Sequence, residues 1–212
     1  LAEDVSSDVV RIEGGGAGLT IPSGSTFTAA PGFSPDFAFA APGGSIVAGD
    51  LEIDTDGTVS FDAASDVSID SSGLSTVLLS NVSGSAGSDF LVNVDGPLNI
   101  GSIAADEIAL SSAGDMAPLP GAVLTATTAV RLDSGGNLVL PSIDAPLVDF
   151  DVAGDLSAAP GASLVFGDAS FFSEGAFAVP SLTAETLDVL ARGTITDAAP
   201  TTVRGDAHFF AG

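Results

Sequence analysis

The sequence predicts an all-β parallel β-helix, or β-solenoid, of about ten coils of about twenty residues, with three short strands in each coil. Three observations predict this fold. A repeat of roughly forty residues fills the chain, apolar and polar residues alternate within short segments, and glycine and proline are scattered almost everywhere.

The repeat is clearest in a pair of apolar residues with one residue between them, which recurs at intervals of 40, 39, 40 and 39 residues. A period this regular is typical of stacked units, each of which buries its apolar face against its neighbours. We therefore interpret residues 1–212 as one solenoid domain, with repeats at about 14–53, 54–94, 95–134, 135–173 and 174–212. The apolar pairs are Leu19/Ile21, Val59/Phe61, Leu98/Ile100, Leu138/Leu140 and Phe177/Val179.

Each repeat contains short apolar pieces in which every second residue is polar or small, as in Leu98-Asn99-Ile100. This period of two is the signature of a half-buried strand. Helices are disfavoured because 26 glycines and 12 prolines interrupt the chain at short intervals. We interpret each repeat as two three-sided coils, such as 97–113 and 114–134.

A β-sandwich or barrel is the competing fold, because short strands at regular spacing also predict those architectures. The repeat, however, divides into unequal pieces rather than hairpins, and the Asn-Gly and Asp-Gly signals of two-residue hairpins are almost absent. A parallel β-helix fits the pattern better.

Composition restricts the partners. The chain has 28 acidic and 4 basic residues, for a net charge of -24. Nucleic acid and anionic membranes are disfavoured as partners, since both need basic patches. No apolar run reaches the length of a membrane span. Carboxylates repeated along a rod repel one another unless they are screened, so salt or divalent cations should stabilise it.

The expected location is extracellular, at a bacterial cell surface. The chain has no lysine and abundant Gly, Ala, Ser, Asp and Thr, a composition that we associate with secreted surface proteins. Any signal peptide is expected to be already removed or to lie outside this sequence. Neither end carries an evident polar cap, so we expect either a piece of a longer protein or a subunit that stacks end to end.

Two segments carry a resemblance to a known family. Residues 187–212 read LDVLARGTITDAAPTTVRGDAHFFAG, and residues 152–175 read VAGDLSAAPGASLVFGDASFFSEG. Both resemble the strand repeats of filamentous-haemagglutinin-like giant bacterial surface adhesins. The resemblance implies a right-handed parallel β-helix that is exported to the bacterial surface and serves in adhesion or as envelope structure.

The candidates for catalysis are few. The single histidine, His208, has Asp206 two residues away on the same strand face, a pair that could act in general-base catalysis. Asp149 and Asp188 hold the same slot in successive repeats, about 10 Å apart over two rungs, close to the separation used in inverting glycoside hydrolysis. We interpret His208 as an outward residue in a slot that tolerates any polar group, and Asp149 and Asp188 as part of a solvated acidic face, so no catalytic residue is predicted.

Two further groups are candidates for binding. Glu52, Asp54 and Asp56 alternate as in the first half of a calcium loop, and they are the predicted metal ligands, although the loop's later glutamate is missing. The adjacent phenylalanine pairs, in which only one member can point inward along a strand, predict an assembly surface; the alternative is a corner at which both rings are buried. These pairs are Phe171/Phe172 and Phe209/Phe210.

The sequence therefore predicts a non-enzymatic, extracellular β-solenoid that is a fibre subunit or a segment of a large surface protein. It should associate with itself end to end or laterally, and host or matrix glycans are further candidate partners. No cofactor is required, although calcium could bind the acidic surface. The alternatives are a carbohydrate-active β-helix that uses Asp149 and Asp188 and a glycan-binding module without turnover.

Overall fold

A computed structural model describes residues 9–29, 34–55, 57–71, 81–197 and 199–212. Over these residues the chain is all β, and its mostly parallel strands stack as a β-solenoid of about eight complete turns. The predicted fold class is confirmed, and the predicted number of about ten coils was slightly too high. No helix that could cross a membrane occurs in this part of the chain.

The N-terminal half is built from short strands separated by turns. In chain order they are β1 (Val9–Glu13), β2 (Leu19–Ile21), β3 (Thr26–Thr28), β4 (Asp36–Ala41), β5 (Ile46–Gly49), β6 (Glu52–Asp54), β7 (Val59–Ala63), β8 (Val67–Ser71), β9 (Asn81–Ala86) and β10 (Asp89–Val94).

The C-terminal half alternates long, bent strands with short ones. They are β11 (Leu98–Ser112), β12 (Met116–Pro118), β13 (Val123–Ser134), β14 (Leu138–Leu140), β15 (Ser142–Val152), β16 (Leu156–Ala158), β17 (Leu164–Ser173), β18 (Phe177–Val179), β19 (Leu182–Ala184), β20 (Thr186–Ala191), β21 (Ile195–Asp197), β22 (Thr201–Val203) and β23 (Ala207–Ala211).

From Leu98 onward every coil contributes to three parallel columns of strands. The inward residues that mark the first column are Leu98, Met116, Leu138, Leu156, Phe177 and Ile195. Those of the second are Ile103, Leu124, Ile143, Leu164, Leu182 and Thr201. Those of the third are Ile108, Val130, Val148, Ala169, Leu187 and Ala207.

The forty-residue repeat is two coils because short and long coils alternate. A long coil contains an extra turn in which Pro120 and Gly121 project between the first and second columns. The N–H of Ala122 donates to the carbonyl of Leu119 at 3.0 Å, and Gly121 has φ of +77°. Proline followed by a glycine with positive φ makes a type II turn. The same turn recurs two coils later at residues 159–162.

The N-terminal half has a different cross-section. There β4, β7 and β9 stack on one another along a single side of the solenoid. In the later coils two separate strand columns, the first and the second, occupy this side. The change occurs where β9 pairs with β11, whose register shifts between Ile100 and Ile103. Gly84 lies opposite this shift with φ of +142°. A Cβ at Gly84 would lie 1.9 Å from the carbonyl oxygen of Phe61, so no larger residue fits there.

The core is a ladder of apolar side chains in which like stacks on like. Phe150 and Phe171 stack with ring centroids 4.9 Å apart and planes 1° apart. Phe39 and Phe61 repeat this contact in the N-terminal half at 5.0 Å. The spacing of the rings matches the distance between rungs, about 4.8 Å, so the phenylalanines stack without disturbing the backbone register.

Serine occupies the last inward position of the third column, where the chain turns, in the coils of Ser112, Ser134 and Ser173, whereas Val152 fills it in the coil between the last two. The serine hydroxyl donates to a glycine carbonyl of the preceding coil, from Ser134 to Gly114 at 3.0 Å and from Ser173 to Gly154 at 2.8 Å. Throughout the described residues every buried side-chain nitrogen or oxygen has a hydrogen-bond partner. These hydrogen bonds therefore compensate for the desolvation cost of burying polar groups at the corner.

A ladder of Asx side chains holds the next corner. Asp115 accepts a hydrogen bond from the backbone N–H of Asn137 at 2.7 Å, and Asn137 accepts one from Asp155 at 2.9 Å. Asp155 in turn accepts one from the N–H of Ala176 at 2.7 Å. Because each side chain bonds the backbone of the following coil, the ladder fixes the coils in register.

We expect Phe150→Ala to lower the free energy of unfolding by about 3–5 kcal/mol, because it opens a cavity in the fully buried stack. Phe172→Ala is the matched control, since that ring points outward from the strand paired with Phe150's strand. Guanidinium denaturation measures both. Equal losses for the two variants would contradict the assignment of inward and outward faces.

Gly84→Ala should destabilise the protein more than Gly121→Ala. Gly121 has positive φ but open space around it, so a methyl group there costs only the backbone strain of about 1–2 kcal/mol. At Gly84 the methyl group meets the carbonyl of Phe61 as well. Denaturation midpoints of the two variants test this order, and the reverse order would show that β9 does not pack against β7 as described.

Candidate functional site

The outward side chains of the third column form a continuous face of the solenoid, which we call the outer face. Because strand side chains alternate between inside and outside, the in-register pairing aligns the outward residues in rows along the axis. The middle row is Ser68, Leu91, Ala109, Arg131, Asp149, Ser170, Asp188 and His208. The edge row is Asp70, Asn93, Ser111, Asp133, Asp151, Phe172, Leu190 and Phe210.

The two aspartates considered for catalysis both lie in the middle row. Ser170 stands between Asp149 and Asp188, so the two carboxylates are two rungs apart, about 10 Å along the axis. Asp188 is engaged with His208 of the following coil, whose Nδ1 lies 2.7 Å from its Oδ1.

His208 therefore pairs with Asp188 rather than with Asp206. The order along the row is Ser170, Asp188, His208, which puts the carboxylate between the hydroxyl and the imidazole. A serine triad needs the histidine in the middle position, so this arrangement cannot relay a proton from Ser170 to His208. Sequence reasoning missed the pair, although Asp188 holds the slot of His208 one coil earlier.

Carboxylates are concentrated where the two rows pass through the middle coils. Asp151 pairs in register with Asp133, and Asp149 lies two residues away on the same side of the same strand. The pKa of Asp151 is raised above its ordinary value of 3.8, first by partial burial and then by the charges of Asp133, Asp149 and Glu174. The charged form of Asp151 is therefore disfavoured in the folded state.

Every arginine of the chain bonds a glutamate. Arg192 bonds Glu174 at 2.7 Å, and Arg204 bonds Glu185 at 3.0 Å. These two pairs and the Arg131–Glu107 pair connect neighbouring coils, whereas Arg11–Glu13 lies within one strand. The pairs are exposed, so each contributes little stability. Because every arginine is paired with a glutamate, the remaining charges on the surface are acidic.

The predicted calcium ligands lie elsewhere, on β6. Glu52 and Asp54 project from the same side of this strand, with Ile53 buried between them. Thr26 of β3 donates to Glu52 at 3.2 Å. Asp56 lies outside the described residues, so the predicted trio remains a prediction. Among the residues that the structure does describe, no three acidic or histidine side chains come close enough to hold a metal ion.

The phenylalanine pairs divide between the core and the surface. Phe171 lies in the core stack, 2% exposed, and Phe172 lies half-buried on the outer face under the guanidinium of Arg192, 5.7 Å away. On the last strand Phe209 is 45% and Phe210 is 62% exposed. Phe172, Leu190 and Phe210 thus continue the edge row as an apolar segment.

Compared with family models, curated proteins and solved structures, the chain has no match. The resemblance of residues 187–212 to filamentous-haemagglutinin repeats therefore remains a prediction.

We expect Asp151→Asn to stabilise the protein at neutral pH. A raised pKa in the folded state means that folding binds protons, so Asp151 costs stability as the pH rises through its folded pKa. The advantage of the variant should therefore shrink as the pH falls and vanish below 3.8, the ordinary value. Urea denaturation between pH 3 and pH 8 measures it.

Asp144→Asn is the control for this prediction, because it removes the same charge from an exposed position of the second column. If both variants gain equal stability over the wild type at neutral pH, the stabilisation comes from the lower net charge of the whole chain and not from the surroundings of Asp151.

Proposed function

We propose that this chain is a non-enzymatic structural or adhesive rod of the extracellular bacterial surface, where it associates with further copies. The observation that carries the proposal is the stacking of core and backbone from coil to coil through the described residues. Glycine N–H groups at one corner bond from coil to coil at 3.1, 2.9, 3.0 and 3.0 Å, from Gly136 through to Gly193. A stack of this kind supplies a stiff body with long, repetitive faces.

The distribution of charge supports a surface that faces water and ions. With a net charge of -24 and each arginine already bonded to a glutamate, neighbouring rods repel one another at low ionic strength. Lateral association then depends on cations that screen or bridge the acidic rows. A saline or calcium-containing exterior meets this condition, and the rod needs no disulfide because the chain has no cysteine.

The carbohydrate-active alternative gains no support from the described side chains. Asp149 and Asp188 lie on an open face with Ser170 between them, and Asp188 is hydrogen-bonded to His208. Neither Asp149 nor Asp188 lies in a crevice that excludes water, as an enzyme site requires for electrostatic catalysis.

Sedimentation velocity tests the proposed association. We expect monomers in EDTA and low salt, and larger species when millimolar CaCl2 is added. NaCl at matched ionic strength should have a weaker effect, because monovalent ions screen but do not bridge. The triple variant Asp133→Asn, Asp149→Asn, Asp151→Asn should lose much of the response to calcium, whereas Asp144→Asn should keep it.

Two results would overturn this proposal. One is a wild-type chain that stays monomeric at every salt and calcium concentration. The other is turnover of a polysaccharide that Asp149→Asn abolishes, which would establish the carbohydrate-active alternative.

A further inference from the structure

A recess of about 340 Å³ interrupts the outer face on the N-terminal side of its acidic segment. Its floor is the coil of β11, where the outward side chains are the short ones of Ala109 and Ser111. The neighbouring coils carry longer side chains at the same row positions. These are Leu91 and Asn93 on one side and Arg131 and Asp133 on the other. The recess thus exists because the outward side chains of β11 are shorter than those of the neighbouring coils, while the backbone stays regular.

The lining combines an apolar strip with groups that both donate and accept hydrogen bonds. Leu91, 37% exposed, and Ala109 supply the apolar strip. Beside it lie the hydroxyl of Ser111, which donates and accepts, the amide of Asn93, whose Nδ2 also donates to Asp70 at 3.3 Å, and the carboxylate of Asp133, which accepts. A pyranose ring has the matching surface, with an apolar C–H face and hydroxyls that donate and accept around its edge. An apolar surface with a few placed polar groups is the usual composition of a small-ligand site.

The residues around the recess disfavour two other classes of ligand, an extended peptide and an anion. An extended peptide cannot add as a strand, because the backbone of β11 is already paired with β10 and β13 on its two sides. An anionic ligand would meet Asp70 and Asp133, and the one nearby cation, Arg131, is bonded to Glu107. A neutral, hydroxyl-rich ligand encounters neither obstacle.

We infer that this recess binds a neutral sugar unit of a glycan chain. The inference deepens the adhesive part of the proposed function, because it identifies the class of molecule to which the rod would adhere. Leu91 and Ala109 contact the C–H face of the sugar, and Asn93, Ser111 and Asp133 bind its hydroxyls. Asp70 and Asp133 select against uronic acids and sulfated sugars.

Saturation-transfer NMR on the full chain tests the site, in EDTA so that no calcium is present to bridge copies of the chain. The probes are neutral tetrasaccharides of glucose, galactose and mannose, with tetragalacturonate as the anionic comparison. We expect transfer to at least one neutral probe and none to tetragalacturonate. Ala109→Ile fills the floor with a branched side chain that suits a strand, and it should weaken binding of that probe by at least about tenfold.

Ser170→Ile is the matched control, because Ser170 lies in the same row outside the recess, and it should bind as the wild type does. Ser111→Ala, which is too small a change to unfold a coil, should weaken binding by a smaller factor. The inference is wrong if no neutral probe receives transfer, if tetragalacturonate binds as well, or if Ala109→Ile and Ser170→Ile behave alike. None of these results bears on calcium-dependent association, so the two proposals fail separately.

Discussion

The hydrogen-bonded register between one coil and the next is the constraint on which the rest of this structure depends. In a parallel column each residue lies directly above one residue and below another, about 4.8 Å away. Any side chain is therefore stacked on the residue in the same slot of the next coil. Phe150 above Phe171, the inward serines and the ladder from Asp115 to Asp155 all follow from this geometry.

The register that stabilises the core by stacking like side chains destabilises the surface. Apolar side chains gain contact when like stacks on like, whereas carboxylates stacked in one slot repel. The outer face reduces this repulsion by changing the residue type from coil to coil, with Ser111 before Asp133 and Ser170 between Asp149 and Asp188. Where Asp133 and Asp151 stack, partial burial and then the charge of Asp133 raise the pKa of Asp151.

The parts of the fold that repeat with the forty-residue period were predictable from the sequence. Leu98, Leu138 and Phe177 keep the same slot at that interval, and they do mark the first column of strands. The cross-section of the N-terminal half was not predictable, because one long strand and two short ones share the same alternation of apolar residues. Gly84 lies where the two arrangements meet, but in the sequence it is one of 26 glycines and nothing distinguishes it.

Contacts between neighbouring coils were missed for a related reason. The partners Asp188 and His208 differ by one coil, and so do Arg192 and Glu174, whereas the evident repeat connects residues two coils apart. Coils alternate in length because of the Pro-Gly turns, so no single interval relates all such partners. Predicting them requires that each turn be assigned first, since a one-residue error in register exchanges the inward and outward faces.

Functional specificity in such a stack has to come from departures from the repeat. A perfectly regular solenoid presents the same side chain in every slot of a row and offers no position that differs from its neighbours. Along the edge row of the outer face the side chains change from the small Ser111, through the carboxylates of Asp133 and Asp151, to the apolar residues from Phe172 onward. Because the backbone beneath is uniform, these three segments differ only in side chains. Substitutions in one segment can therefore change what binds there while the columns that support it stay in register.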